Sequence, residues 1–118
     1  MTIRTISELL DAEVLCCDDR LDTDVSDACG SDMMSDVLAH VKDQAVLLTG
    51  LVNTQVIRTA MMMDMHCVVF VRGKLPSPEI ISLAEINNIV VMASPHRMYE
   101  ACGLLYTHGL SSKEHVHG

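Results

Sequence analysis

Cys67-Val68-Val69-Phe70-Val71 is the stretch on which the fold turns. Five apolar residues follow one another without alternation, and Arg72-Gly73-Lys74 and Pro76-Ser77-Pro78 break the chain behind them. A strand with one wet face alternates apolar and polar residues; an unbroken run predicts a strand covered on both faces, as in a parallel sheet. Ala45–Thr49 (AVLLT) and Ile89–Met92 repeat the pattern on either side. Helical segments separate them: Thr54–Met63 after Gly50 and Asn53, Glu79–Asn87 after the prolines, and a last helix opened by Ser94-Pro95. That helix runs to about His108 and is closed by Gly109. Strand and helix alternating at this spacing predicts right-handed βαβ units. The expected fold class is therefore α/β: a three-layer α/β/α sandwich with a mainly parallel sheet of about four to five strands.

Upstream, Thr5–Ala12 (TISELLDA) reads as a short helix with Ile6, Leu9 and Leu10 as its apolar stripe, and Val14–Cys17 as a short strand. Leu21–Asp36 (LDTDVSDACGSDMMSD) interrupts this rhythm with five Asp and no base. Its first part, Leu21–Ser31, is expected as a loop with a brief extended piece at residues 24–26. Gly30 and Ser31 supply a turn and cap for a helix over Asp32–Lys42, where Met33, Met34, Val37, Leu38 and Val41 recur at helical spacing. Residues 1–110 are expected to form one domain and residues 111–118 a flexible tail.

A chain of 118 residues suits one domain that buries roughly two-thirds of its unfolded surface. Aromatic residues are only 3% and Met numbers nine, so the core is expected to be aliphatic and adaptable. The net charge of -8 argues against nucleic acid and anionic membrane surfaces as partners, since both need a basic footprint. Met1–Leu10 has no apolar signal-type region, and Ala60–Val71, broken by Asp64 and His66, is too short to span a bilayer. A cytoplasmic protein with reduced thiols is expected; the five cysteines are odd in number and lack CxxC spacing. Cys29 stands apart, placed by this reading near a helix start, where a thiol's pKa falls.

Ligands of parallel α/β sheets favour the edge where loops leave the strands and helix N-termini begin. Three such loops are Thr49–Asn53, Arg72–Lys74 and Ala93–Arg97. They gather Thr49, Gly50, Asn53, Arg72, Gly73, Lys74, Ser94, His96 and Arg97, a local positive bias that suits a small anion such as a nucleotide. The competing interpretation is ordinary loop residues with solvated charges. Ser26, Asp27, Gly30, Ser31 and Asp32 are candidates to border the same site. Asp22-x-Asp24-x-Ser26 begins like a calcium loop, but Asp27 stands where Gly is needed and Met33 where Glu is needed, so no metal site is assigned. His108, His115 and His117 are assigned to a frayed end rather than to a metal. There is no Walker loop, no GxGxxG, no GxSxG and no HExxH. No catalytic residue and no cofactor are assigned.

With these elements placed, the chain resembles the DRTGG domain family. The similarity rests on residues 22–37, where Val25, Ser31-Asp32 and Ser35-Asp36-Val37 fit, and on Thr49-Gly50 with Asn53. It extends through Cys67–Val71 ending at Arg72-Gly73, Pro78-Glu79, Glu100-Ala101 and Gly103–Tyr106. The departures fall in the motif that names the family: its Arg is Thr23, its Thr is Ser26, and its glycines are Asp27 and Ala28. The resemblance implies a domain similar to the N-terminal domain of HPr kinase/phosphorylase, used beside CBS domains in regulatory pyrophosphatases and ahead of some phosphotransacetylases. It further implies a regulatory, homodimeric, nucleotide-sensing role without the kinase's catalytic domain. The expected function is a non-enzymatic, homodimeric sensor of an adenine nucleotide-like anion. The alternative is an accessory protein for a redox enzyme such as an iron-only hydrogenase, to whose neighbouring small proteins stand-alone members are similar.

Overall fold

The computed structural model describes residues 1–40 and 45–110. Its elements run α1 (Ile3–Leu9), β1 (Glu13–Cys16), β2 (Asp27–Gly30), α2 (Met34–His40), β3 (Ala45–Thr49), α3 (Thr54–Met62), β4 (Cys67–Phe70), α4 (Pro78–Ile86), β5 (Val90–Ala93) and α5 (Met98–Thr107). The sheet order is β1-β5-β4-β3-β2. β2 to β5 are parallel, and β1 lies antiparallel on β5 with a register irregularity between Val14 and Cys16.

Each parallel strand is added on the same side of the last, so right-handed crossovers lay α2, α3 and α4 on one face. There Val37, Val56, Ile57, Ala60, Ile80 and Ala84 pack on Leu47, Val68, Phe70 and Val91. The other face carries Val46, Leu48, Val69, Val90 and Met92 against Ile3, Ile6 and Leu10 of the α1 segment and Ala101 and Leu105 of α5. Neighbouring residues of each strand thus enter opposite cores, which is why the apolar runs do not alternate. At roughly 1.5–3 kcal/mol per buried large aliphatic or Phe side chain, these two cores are what folds the chain.

Several boundaries differ from the sequence-based expectation. α1 starts at Ile3, two residues early, because Thr2 accepts from Thr5 N and caps it. The acidic stretch is not a free loop. Leu21 and Thr23 carbonyls accept from Arg4 N and Ile3 N, donors that α1 itself leaves unpaired. Asp22 pairs with Arg4, and Val25 is buried beneath α1. Residues 27–30 then form β2, which was expected to be loop. Helix α2 begins at Met34 rather than Asp32, and the expected end at Val41-Lys42, like the 111–118 tail, lies outside the described residues. α5 begins at Met98, four residues beyond Ser94.

The helices α1, α3, α4 and α5 end alike. Asp11, Asp64, Asn88 and Gly109 adopt positive φ, and the next residue's N–H reaches back over the final turn: Ala12 to Ser7, Met65 to Ala60, Ile89 to Ala84, and Leu110 to Leu105. This is the Schellman arrangement, with an apolar residue placed to re-enter the core. Only Gly109 is a glycine; Asp and Asn are the side chains that tolerate the left-handed region best. Replacing Asn88 by Val should cost about 1–2 kcal/mol, whereas Asn88→Gly should stay within ~0.5 kcal/mol of the parent, as read from urea midpoints.

Candidate functional site

The carboxyl edge of β2 to β5 is tied sideways into one rigid rim. Ser31 N donates to Leu48 O, Val71 N to Thr49 O, Arg72 N to His96 O, and Gly73 N to Ser94 O. Side chains reinforce these links. The Asp32 carboxylate accepts from Gly50 N at 2.7 Å and from the Thr49 hydroxyl at 3.0 Å, and Lys74 Nζ donates to Gly50 O at 2.9 Å. The bond from Gly50 N, the Thr49 hydroxyl, Arg72 and Lys74 hold the Asp32 carboxyl below its ordinary pKa.

Two glycines permit a close approach. A Cβ on Gly50 would lie 2.5 Å from Arg72 Nη2, so the guanidinium rests over the bare backbone. A Cβ on Gly30 would lie 2.6 Å from Cys102 Sγ, so the glycine lets α5 cross the end of β2. Arg72 itself is left-handed (φ 63), and Gly73 follows at φ 68.

Between these loops opens a cleft of ≈ 440 Å³. Six expected residues line it: Gly30, Ser31, Asp32, Gly50, Arg72 and Arg97. Val71, Met98 and Tyr99 complete the wall. The sequence reading ended at Arg97 because it began the last helix too early; an aromatic in the first turn after a strand-end loop was the available signal. The cleft forms where the chain changes faces, since α5 packs across β2 and β3 opposite to α2, α3 and α4. Arg72, Arg97 and Tyr99 are exposed there, Tyr99 to 90%. Glu100 reaches back to Arg97 N, and Met98 and Tyr99 bring the first turn of α5 to the opening.

The other expected residues have different work. Thr49 and Lys74 hold the rim. Asn53 caps α3 by accepting from Val56 N. Gly73 makes the tight turn. Ser94 is fully buried; its hydroxyl donates to Leu10 O and accepts from His96 N, and it does not cap a helix. His96 turns away to Asp11, 3.0 Å from its carboxylate. Ser26 and Asp27 lie at the opposite, amino edge, a strand's length from the cleft, because β2 starts at Asp27. Cys29 sits on β2 rather than at a helix start; burial pushes its thiol pKa up, not down. Among the described residues no group of three or more His, Cys, Asp or Glu is placed to hold a metal. Nor is any helix among them long and apolar enough to cross a membrane.

With that geometry in view, a family model for the DRTGG domain matches residues 5–108. This chain belongs to the DRTGG domain family. The comparison with curated proteins gave no significant match. Among solved structures, it is similar to the CBS and DRTGG domains of the regulatory region of Clostridium perfringens pyrophosphatase, in complex with the activator diadenosine tetraphosphate. The identity is 21% and the TM-score 0.70, covering 88% of this chain and 45% of that one. The DRTGG chain described here thus spans less than half of the length it is compared with, and the likeness is one of fold.

Removing the shared acceptor tests the rim. Asp32→Ala leaves Gly50 N and the Thr49 hydroxyl proton without an acceptor and should cost about 1–2 kcal/mol at pH 7, toward the low end because Asp32 is exposed. A carboxylate with a depressed folded pKa stabilises above its ordinary range and loses that contribution as pH falls through its folded value. The difference between parent and Asp32→Ala in urea unfolding should therefore shrink on acidification below about pH 4.

Proposed function

We propose that this DRTGG domain is a non-catalytic sensor whose carboxyl-edge cleft binds a small anion of the adenine nucleotide type. The observation that carries it is the convergence, on a chain of net charge -8, of two exposed arginines, an exposed tyrosine and a helix N-terminus on one cleft. Arg72 and Arg97 offer planar, multidentate donors to phosphate, the α5 amides add a favourable dipole, and Tyr99 offers a face for a base to stack on. The two arginines outnumber Asp32, the carboxylate that lines the cleft, whose Oδ1 is engaged by Gly50 N and the Thr49 hydroxyl. The pyrophosphatase regulatory region, which holds an adenine dinucleotide activator, supports the choice of ligand class. A non-catalytic role agrees with Asp32, the carboxylate that lines the cleft, being committed to the rim, and with the Cys29 thiol, which does not line it, being shifted away from ionisation.

Calorimetry with ATP and diadenosine tetraphosphate should show saturable binding, weakened at least tenfold, or about 1.4 kcal/mol, by Arg97→Ala. No heat at roughly millimolar ligand would remove the nucleotide reading.

We further infer a homodimer, because Met62, Leu75, Ile86 and Tyr106 are left largely exposed on a small chain. Light scattering at micromolar concentration should give twice the chain mass, and a monomer mass would overturn it. The exposed Met33, Met61 and Met62 also keep the accessory reading in play. Stoichiometric capture of a redox enzyme, with no nucleotide bound, would favour that reading instead.

A further inference from the structure

Gly50 and Arg72 both line the carboxyl-edge cleft, and each is an unusual residue for its place. Arg72 has φ 63, in the left-handed region that strains a residue with a Cβ and suits glycine. Its backbone is held there from both sides, with Arg72 N donating to His96 O at 2.7 Å and Gly73 N to Ser94 O at 2.8 Å. The turn alone would take glycine more readily than arginine.

Gly50 is the reverse case. It is buried and is not one of the glycines with positive φ, so its backbone conformation is open to alanine. What excludes a side chain is Arg72. A Cβ on Gly50 would lie 2.5 Å from Nη2, 3.2 Å from Cζ and 3.3 Å from Nε, so the guanidinium covers the glycine along its length. The Gly50 peptide is itself pinned, by Asp32 Oδ1 accepting from Gly50 N and by Lys74 Nζ donating to Gly50 O. Asp32 attracts Arg72 without pairing with it, and among the described residues Arg72 forms no ion pair. Its donors are therefore not spent on a carboxylate. An arginine stands where glycine would be easier, and a glycine stands where only that arginine forbids alanine. One requirement accounts for both: a guanidinium fixed at this point of the cleft wall.

We propose that Arg72 is the preset anchor for a phosphate group of the ligand and that Gly50 is the residue that positions it. The guanidinium lies on the pinned Gly50 peptide before the ligand arrives, and a planar fork already in place loses less freedom on binding phosphate than a free side chain does. This role rests on the reading of the cleft as an anion site and is independent of the adenine moiety.

The test uses the full chain, calorimetry with inorganic pyrophosphate and with ATP, and nuclear magnetic resonance of the Arg72 Nε–Hε group. In the ligand-free parent that group should be ordered. In Gly50→Ala it should gain the mobility of a free side chain while the amide spectrum keeps its native dispersion, because what the new methyl displaces is the far end of a flexible side chain. Pyrophosphate should bind the parent saturably at roughly millimolar concentration or below, about tenfold more weakly to Gly50→Ala and at least tenfold more weakly to Arg72→Gly. Arg72→Gly should keep the parent's urea midpoint; a clear drop would mark the arginine as structural and overturn the proposal. An unchanged affinity in Arg72→Gly, or an unchanged Arg72 signal and affinity in Gly50→Ala, would overturn it too. If ATP binds and neither variant weakens it, the sensor reading stands and the anchor falls. If pyrophosphate binds as described and ATP does not bind, the adenine reading falls and the anchor stands. If neither probe binds the parent, both fall. Should Gly50→Ala fail to fold, the order of the Arg72 signal in the parent and the affinity of Arg72→Gly decide.

Discussion

A parallel strand has no wet face, and that constraint shapes this molecule. β3, β4 and β5 are buried throughout, so helices have to lie above and below them. Three crossovers in the same direction fill only one face. The other is left to α1, which enters before the parallel strands begin, and α5, which crosses over after they end. The change of side by α5 leaves the gap between its first turn and the end of β2. The cleft is thus a product of the covering requirement, and the side chains that line it are those that the four strand ends deliver there.

The rim of that cleft keeps its own charges occupied. Asp32 supplies an acceptor for backbone and hydroxyl donors that strands β2 and β3 cannot pair, and Lys74 donates to the carbonyl of the same glycine. Arg72 lies over Gly50 because no side chain stands there. Arg97 sits in front of α5 and, like Arg72, is exposed. Charge that is locked and charge that is available lie side by side on one rim, which is how an acidic protein can present a basic opening.

The layer order, the strands AVLLT and CVVFV and the carboxyl-edge loops were legible because a short, continuous apolar run between turn residues belongs in the middle of a covered sheet. The strand Asp27–Gly30 was not. Asp, Ala, Cys and Gly have little preference for extended backbone, and an edge strand is held mainly by its ladder with β3, which the local sequence does not encode. The same error misplaced Cys29 and put Ser26 and Asp27 with the cleft. Ser94 followed by Pro95 looks like a helix start, yet the hydroxyl is consumed by Leu10 O, a partner 84 residues away. Tyr99 escaped notice for a related reason: its importance depends on where α5 begins relative to β2. Pairings between distant segments settle all of these, and the residues themselves carry only half of each pair.

The two outer strands bear on whether another chain can add to the sheet. β1 and β2 are only four residues long. β1 loses register between Val14 and Cys16, and β2 opens on a charged Asp27 and closes on Gly30. Such borders make poor templates for another chain's backbone, and they discourage the endless sideways stacking of sheets that leads to fibrils. Any association of this domain is thereby turned away from its sheet edges.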